Sequence, residues 1–159
     1  MRVIAMLALL ISTTFAAQAQ NFMKGKSADY IRRTAFIIGE AHKQLLKLDS
    51  AQRDGKFALA IAHQRMARRS FEVADYKNAV YHSAYARRLA MILNSYSNKA
   101  LNSKFKDTPE EMELVRNSPT DKVLTEQVQK GNPGIKFSDS DYLGDTRLYK
   151  LDVDDLIQP

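Results

Sequence analysis

The sequence has 159 residues and contains no cysteine. This absence excludes disulfide bonds, thiolate metal sites, a cysteine nucleophile, covalent haem attachment and a lipid anchor on an N-terminal cysteine. After the first 20 residues, no apolar run approaches the roughly 20 residues needed to span a bilayer. The sequence also lacks G-x-S-x-G, Walker, dinucleotide-binding and H-E-x-x-H motifs. No nucleophile with its base is evident, so we expect a non-enzymatic protein without a cofactor.

Residues 1–19 have the pattern of a cleavable export signal. Arg2 is their only charged residue, an apolar stretch follows, and small residues lead to the A-x-A sequence at residues 17–19. Signal peptidase accepts this ending, so we expect a mature chain from Gln20 in the periplasm or outside the cell. The alternative is a genuine N-terminal helix or an uncleaved anchor. An exported location argues against nucleic acid as a partner.

Charge is segregated along the chain. Residues 20–107 contain 17 Lys and Arg against 7 Asp and Glu, a net of +10, whereas residues 108–159 contain 6 against 11, a net of −5. With Arg2 these sums give the net charge of +6. Either the acidic part folds back onto the basic part, or the basic part binds an anionic partner. We expect a protein or peptide partner, with an anionic glycan or a membrane surface as the alternative.

The hydrophobic pattern predicts an all-α fold. Apolar residues at steps of three and four predict three antiparallel helices at 27–48, 56–73 and 76–96, the first capped by Ser27 and the third by Asp75. Thr108-Pro109-Glu110-Glu111 predicts a capping box that starts a short helix, and Thr120-Asp121 predicts another that closes near Gly131. We therefore expect a single domain with a basic helical body at 20–107 and an acidic part at 108–159.

The last 25 residues are too apolar for a solvated tail. We expect residues 135–159 to pack across the body as an irregular strap, with a short strand or helical turn near 148–153. The segment from Asp139 to Gly144 is similar to the start of a calcium loop. Leu143 and Lys150 occupy positions where that loop needs oxygen ligands, so the segment is interpreted as an Asp/Ser turn.

The second and third predicted helices resemble one tetratricopeptide repeat. Small and turn residues stand at that family's offsets, at Ala67, Asp75-Tyr76, Ala79 and Ala86, within one repeat of about 34 residues. The sequence departs from the family where an aromatic residue or a terminal proline is expected, at Ser70, Ser83 and Met91. The resemblance implies a helical hairpin of the kind that serves as a scaffold for peptide and protein partners. A single repeat needs neighbouring helices to bury its face, and the first helix would cover one side.

The three histidines, His42, His63 and His82, lie on or beside the apolar faces of the three long helices. Folding the helices back about turns centred near residues 52 and 74 places all three rings at about the same level. Three converging imidazoles are a ligand set for zinc, copper or iron. A metal- or ligand-binding protein is thus the alternative function, while hydrogen-bonded core histidines are the plainer interpretation.

Arginine doublets predict a second candidate site. The same folding places Arg32-Arg33 near Arg68-Arg69 at one end of the bundle. Four guanidinium groups in one cluster would bind carboxylates or phosphates bidentately. Adjacent residues on a helix point about 100° apart, however, so each doublet is also compatible with a solvated flank.

Overall fold

The computed structural model describes residues 2–95, 105–144 and 150–157, with side chains from residue 18 onward. The regular structure in these ranges is entirely helical, which confirms the all-α fold. Its helices are α1 (Arg2–Leu45), α2 (Lys56–Glu72), α3 (Tyr76–Ser95), α4 (Pro109–Val115), α5 (Asp121–Gly131) and α6 (Asp154–Ile157), with 3₁₀ turns at Ser50–Gln52 and Asp139–Tyr142. Within the described ranges, we find no helix that has both the length and the apolar character to cross a membrane.

The first helix is longer than its apolar periodicity predicts. It begins at Arg2 and includes the predicted leader segment, so Ser27 is not its cap. The Ser27 hydroxyl instead donates to the Lys24 carbonyl oxygen at 3.0 Å, inside the helix. Residues 18–22 are exposed, and burial against the other helices starts at Ser27. The periodic pattern therefore locates the packed part of α1 rather than its start.

Helices α1, α2 and α3 pack together as the body of the molecule. Alanines with no exposed surface occur on the packed faces of α2 and α3, at Ala60, Ala67, Ala79 and Ala86. Small residues let helix axes approach closely, which explains the predicted hairpin. The main core cluster contains Ile37, Ile38, Ala41, Leu45, Phe57, Ile61, Ala86, Ala90, Leu93, Phe105 and Leu151.

Side-chain caps hold the starts of α3, α4 and α5. The predicted capping box of α4 is present, because Thr108 accepts from Glu111 N while the Glu111 side chain accepts from Thr108 N. Thr120 caps α5 by accepting from Val123 N. The Asp75 side chain accepts from Asn78 N at 3.3 Å at the start of α3. These predictions from local sequence are confirmed.

The amino end of α2 is capped by a residue far along the chain. Asp139 is 2% exposed, and its carboxylate accepts from Gly55 N and Ala58 N, both at 2.9 Å. Gly55 has φ +81°, and a Cβ there would lie 2.6 Å from the Phe137 carbonyl oxygen. Glycine is therefore required for both the backbone conformation and this close approach. The Asp/Ser turn at 139–142 fixes the C-terminal part of the chain to the body.

The C-terminal acidic part folds back onto the basic body. Ion pairs join the two parts at Lys26–Glu110, Arg32–Asp154, Arg33–Glu111, Arg68–Asp155, Arg87–Glu111 and Arg88–Asp121. This arrangement matches the first interpretation of the charge segregation, in which carboxylates offset repulsion within the body. Part of the predicted strand or turn near 148–153 lies outside the described residues.

Candidate functional site

Residues 150–157, the end of the predicted C-terminal strap, lie against α1 and α2, and from here on we call these residues the strap. We call the surface that they cover the strap groove; it is formed by Ala28, Ile31, Arg32, Gln64, Ala67, Arg68 and Phe71. Three kinds of contact hold the strap there: hydrogen bonds to its backbone, ion pairs to its carboxylates and apolar contacts to its side chains.

Gln64 recognises the strap backbone. It has no exposed surface, and its Nε2 donates to the carbonyl oxygens of Ile31 at 2.9 Å and Leu151 at 3.0 Å. The Ser83 hydroxyl donates to Gln64 Oε1 at 3.0 Å and so fixes the orientation of the amide. Because a buried amide is costly unless both ends are paired, α1, α3 and the strap together determine its position.

Two arginines hold the strap carboxylates. Arg68 donates to both oxygens of Asp155, at 2.7 and 2.5 Å, and to the Asp152 carbonyl oxygen at 2.7 Å. Arg32 donates to Asp154 and also pairs with Asp29 within α1. The hydrogen bonds from Arg68 lower the pKa of Asp155 below its usual value. The Arg68 guanidinium thus binds one carboxylate and one backbone carbonyl of the strap at the same time.

Apolar contacts anchor the strap at two adjacent sites. Leu151 is 2% exposed and belongs to the main core cluster. Val153 has no exposed surface and packs in a second cluster with residues that line the strap groove. Leu156 and Ile157 are partly buried against the same cluster. The strap is therefore part of the core, as its apolar composition predicts.

The structure brings together only part of the predicted four-arginine site. Arg32 and Arg68 both reach the strap, but Arg33 points to another partner and donates to Glu111 and to the Lys106 carbonyl oxygen. Arg69 is exposed and lines a cleft of about 100 Å³ that also contains Tyr142. Consecutive residues on a helix point about 100° apart, which explains why the members of each doublet have different partners. The anion-binding patch of all four arginines stays a prediction.

A buried arginine that neither predicted site includes forms a charged centre at α3. Arg87 is 1% exposed and donates to Asp107 at 2.6 Å, Glu111 at 3.0 Å and Thr34 Oγ1 at 3.1 Å. Its guanidinium carbon lies 3.9 Å from the centroid of the Tyr30 ring. Burial raises the pKa of Glu111, but the hydrogen bond from Thr108 N and the charge of Arg87 outweigh it, so this pKa is below its ordinary value. This centre fixes α4 against the body.

Two of the three histidines meet in the core. Nδ1 of His63 lies 3.0 Å from Nδ1 of His82, and these residues are 0% and 3% exposed. The Tyr85 ring lies against His63, with centroids 4.5 Å apart. Within the described part of the chain, the other ring nitrogen of His63, Nε2, has no hydrogen-bond partner. The pair lies between α2 and α3 and is shielded from solvent.

The third histidine, His42, has different partners. Its Nε2 hydrogen-bonds the Tyr142 carbonyl oxygen at 2.9 Å, and its ring stacks on Phe57 at 5.5 Å. Among the described residues, no three His, Cys, Asp or Glu side chains are placed to share a metal ion. The predicted convergence fails because His42 stacks on Phe57, six residues before His63 on α2, so its ring lies more than one helical turn from the pair. The turn between α1 and α2 is therefore centred earlier than residue 52. Each residue of error in that centre moves the facing residue by two.

Burial keeps the histidine pair neutral. It lowers the pKa of His63 to about 3, with smaller contributions from His82 and from the charge of Arg88. Burial also lowers the pKa of His82 to about 4, although Gln127 and Asp75 act in the opposite direction. One imidazole donates and the other accepts across the 3.0 Å contact, which is possible only while at least one ring is neutral.

Sequence reasoning did not identify Gln64, Arg87 or Asp139 as organising residues. Gln64 and Arg87 carry one available signal, because a polar side chain at a buried position of a helix requires partners. Asp139 carries none, since its partners lie more than 80 residues earlier in the chain. No protein-family model, curated protein or solved structure matches the chain.

Proposed function

We propose that the protein is an exported, non-enzymatic binding module whose strap groove binds acidic, apolar peptide segments of a protein partner. This proposal rests on the contacts of residues 150–157 in the strap groove. Their backbone accepts hydrogen bonds, their carboxylates form ion pairs and their apolar side chains are buried. The strap would then be an internal ligand that a partner of similar chemistry replaces.

The contacts suggest how affinity and selectivity would be divided. Full burial of a side chain such as Leu151 or Val153 contributes about 1.5–3 kcal/mol. The ion pairs of Arg32 and Arg68 involve exposed carboxylates, and exposed ion pairs contribute little to affinity. Apolar contacts would therefore supply most of the affinity, and the arginines would select acidic sequences.

The strap competes with any peptide from another chain. A covalently connected ligand acts at an effective concentration in the millimolar range. A free peptide with the strap sequence should consequently bind the intact protein weakly. Weakening the strap without altering the groove should reveal the binding.

Other features support a binding role in an exported protein. The hairpin of α2 and α3 resembles a tetratricopeptide hairpin, and we propose that it acts as the scaffold of the groove. The predicted cleavage point after Ala19 lies in the exposed part of α1, before the first buried residue, Ser27. Removing residues 1–19 would therefore leave the described core contacts intact. Asp139 and Arg87, both buried, are engaged in a helix cap and in ion pairs that hold the body together.

The test uses a fluorescein-labelled peptide of residues 150–157 and measures its anisotropy with the full chain. In the double variant Asp154→Asn and Asp155→Asn, the internal strap loses both ion pairs while the groove arginines remain. We expect this variant to bind the wild-type peptide about tenfold more tightly than the wild-type protein does, which corresponds to about 1.4 kcal/mol.

The matched control is Asp141→Asn, which removes an exposed acid outside the strap. This variant should bind the peptide like the wild type. A peptide in which both aspartates are replaced by asparagine should bind the double variant less tightly. The proposal is contradicted if the labelled peptide binds neither protein, or if Asp141→Asn strengthens binding as much as the double variant does.

A further inference from the structure

The histidine pair lies directly beside the side chain that holds the strap. His63 precedes Gln64 on α2, and His82 precedes Ser83 on α3. The His63–His82 contact and the Ser83–Gln64 hydrogen bond are both 3.0 Å long and join the same two helices. Gln64 then donates to the Leu151 carbonyl oxygen. A change in the distance between α2 and α3 at this level would therefore alter the position of Gln64 and its hydrogen bond to Leu151.

The arrangement has no place for a second proton between the rings. Two Nδ1 atoms 3.0 Å apart share one hydrogen, and protonating both rings would set two cations face to face in a buried site. The groups around the pair would do little to stabilise two positive charges. On α3, Tyr85 lies against His63 and Arg88 adds positive charge to its surroundings. Asp75 favours the charged form of His82, and α5 contributes the neutral Gln127.

We propose that His63 and His82 form a proton-operated latch on the strap groove. In acid, protonation of both rings forces α2 and α3 apart at this level. The Ser83–Gln64–Leu151 connection then breaks, and the strap leaves the groove. This inference rests on the proposed function for its biological role, but strap release itself is measured independently of any peptide.

The pKa values of the two rings set the pH range in which the latch operates. When the rings are released, their pKa returns from about 3 and about 4 to the ordinary histidine value of about 6.5. Two such protons raise the ratio of open to closed molecules by up to about 500-fold between pH 7 and pH 5. Asp155 stays ionised over this range, because the hydrogen bonds from Arg68 lower its pKa.

The experiment is amide hydrogen exchange of the full chain at pH 7 and pH 5, corrected for the intrinsic pH dependence of exchange. We expect the protection of the strap amides in residues 150–157 to fall by a factor of 100 or more in the wild type. In the double variant His63→Gln and His82→Gln, we expect a fall of less than threefold. His42→Gln is the matched control, since it removes the remaining histidine, and it should behave like the wild type.

The proposal is overturned if the wild type and the double variant lose strap protection equally, or if the strap amides at pH 5 are no less protected than the buried amides of α1. Should the double variant not fold, the ring protons of the wild type are followed by NMR. Titration of either His63 or His82 near pH 6.5 while the strap stays protected overturns the latch. If the strap opens as expected and the labelled peptide still does not bind at pH 5, the latch is supported and the proposed function is contradicted.

Discussion

At the scale of single residues, Arg87 has the most demanding environment. Its guanidinium is 1% exposed and binds the carboxylates of Asp107 and Glu111. Removing one member of a buried ion pair leaves the other charge uncompensated and costs about 3–5 kcal/mol. We therefore expect Arg87→Met to lower the free energy of unfolding by about that amount, as measured by urea denaturation.

The neighbouring arginine is a matched control for this prediction. Arg88 pairs with Asp121, and both side chains are about half exposed. An exposed ion pair contributes about 0–1 kcal/mol, so Arg88→Met should change the free energy of unfolding by no more than that. Similar losses for the two variants would show that the charged centre of Arg87 is not a major source of stability.

At the scale of the elements, α2 depends on a cap from outside its own sequence. Asp139 accepts from two backbone N–H groups at the positive end of this helix, one with each carboxylate oxygen. Asp139→Ala leaves both donors unpaired in a buried place. We expect a loss of about 1–2 kcal/mol in urea denaturation, and faster amide exchange in the first turn of α2.

Asp139→Asn separates the two contributions to this cap. Asparagine keeps one acceptor oxygen but has no negative charge. The free energy of unfolding of Asp139→Asn should therefore lie between that of the wild type and that of Asp139→Ala. Thr125→Ala is a control, because the Thr125 hydroxyl bonds a carbonyl within α5 and is not part of the cap. An Asp139→Ala variant as stable as the wild type would contradict the assignment.

The elements also show where sequence reasoning succeeds. The apolar periodicity and the caps at Asp75, Thr108 and Thr120 predict the positions of the packed helices, because both signals are local. The start of α1 is not predicted, since residues 18–22 are helical without being packed. The cap by Asp139 is a contact between distant residues, and no local pattern encodes it.

The candidate sites illustrate the same limit. The apolar composition of the C-terminal segment predicts a strap, and the charge segregation predicts that the acidic part meets the basic part. His63 and His82 face each other, whereas His42 does not, and this depends on where the turns between the helices are centred. A shift of two or three residues in the centre of a turn moves the facing residue by a full helical turn. Local sequence does not determine these turns to that precision.

At the scale of the whole molecule, the histidine pair should make the free energy of unfolding depend on pH between pH 7 and pH 5. The pKa of each paired histidine is lower in the folded protein than in the unfolded chain, so the unfolded chain binds more protons below about pH 6.5. The stabilisation is complete above this pH and is lost as the pH falls towards 4. Two histidines should reduce the free energy of unfolding by about 4 kcal/mol at pH 5 relative to pH 7.

Urea denaturation at pH 7, 6 and 5 checks this expectation. The variant with His63→Gln and His82→Gln should lose less than about 1 kcal/mol over the same range, whereas His42→Gln should follow the wild type. A wild-type stability that does not change between pH 7 and pH 5 would mean that the two rings are not held neutral by the fold.

The position of the strap in the chain has a consequence for biosynthesis. Leu151 and Val153 complete two apolar clusters whose other members are mostly synthesised far earlier. While the polypeptide is still being made, the body therefore emerges with this groove uncovered. During that interval a chaperone or a neighbouring nascent chain with an acidic, apolar segment can occupy the place that the strap later takes.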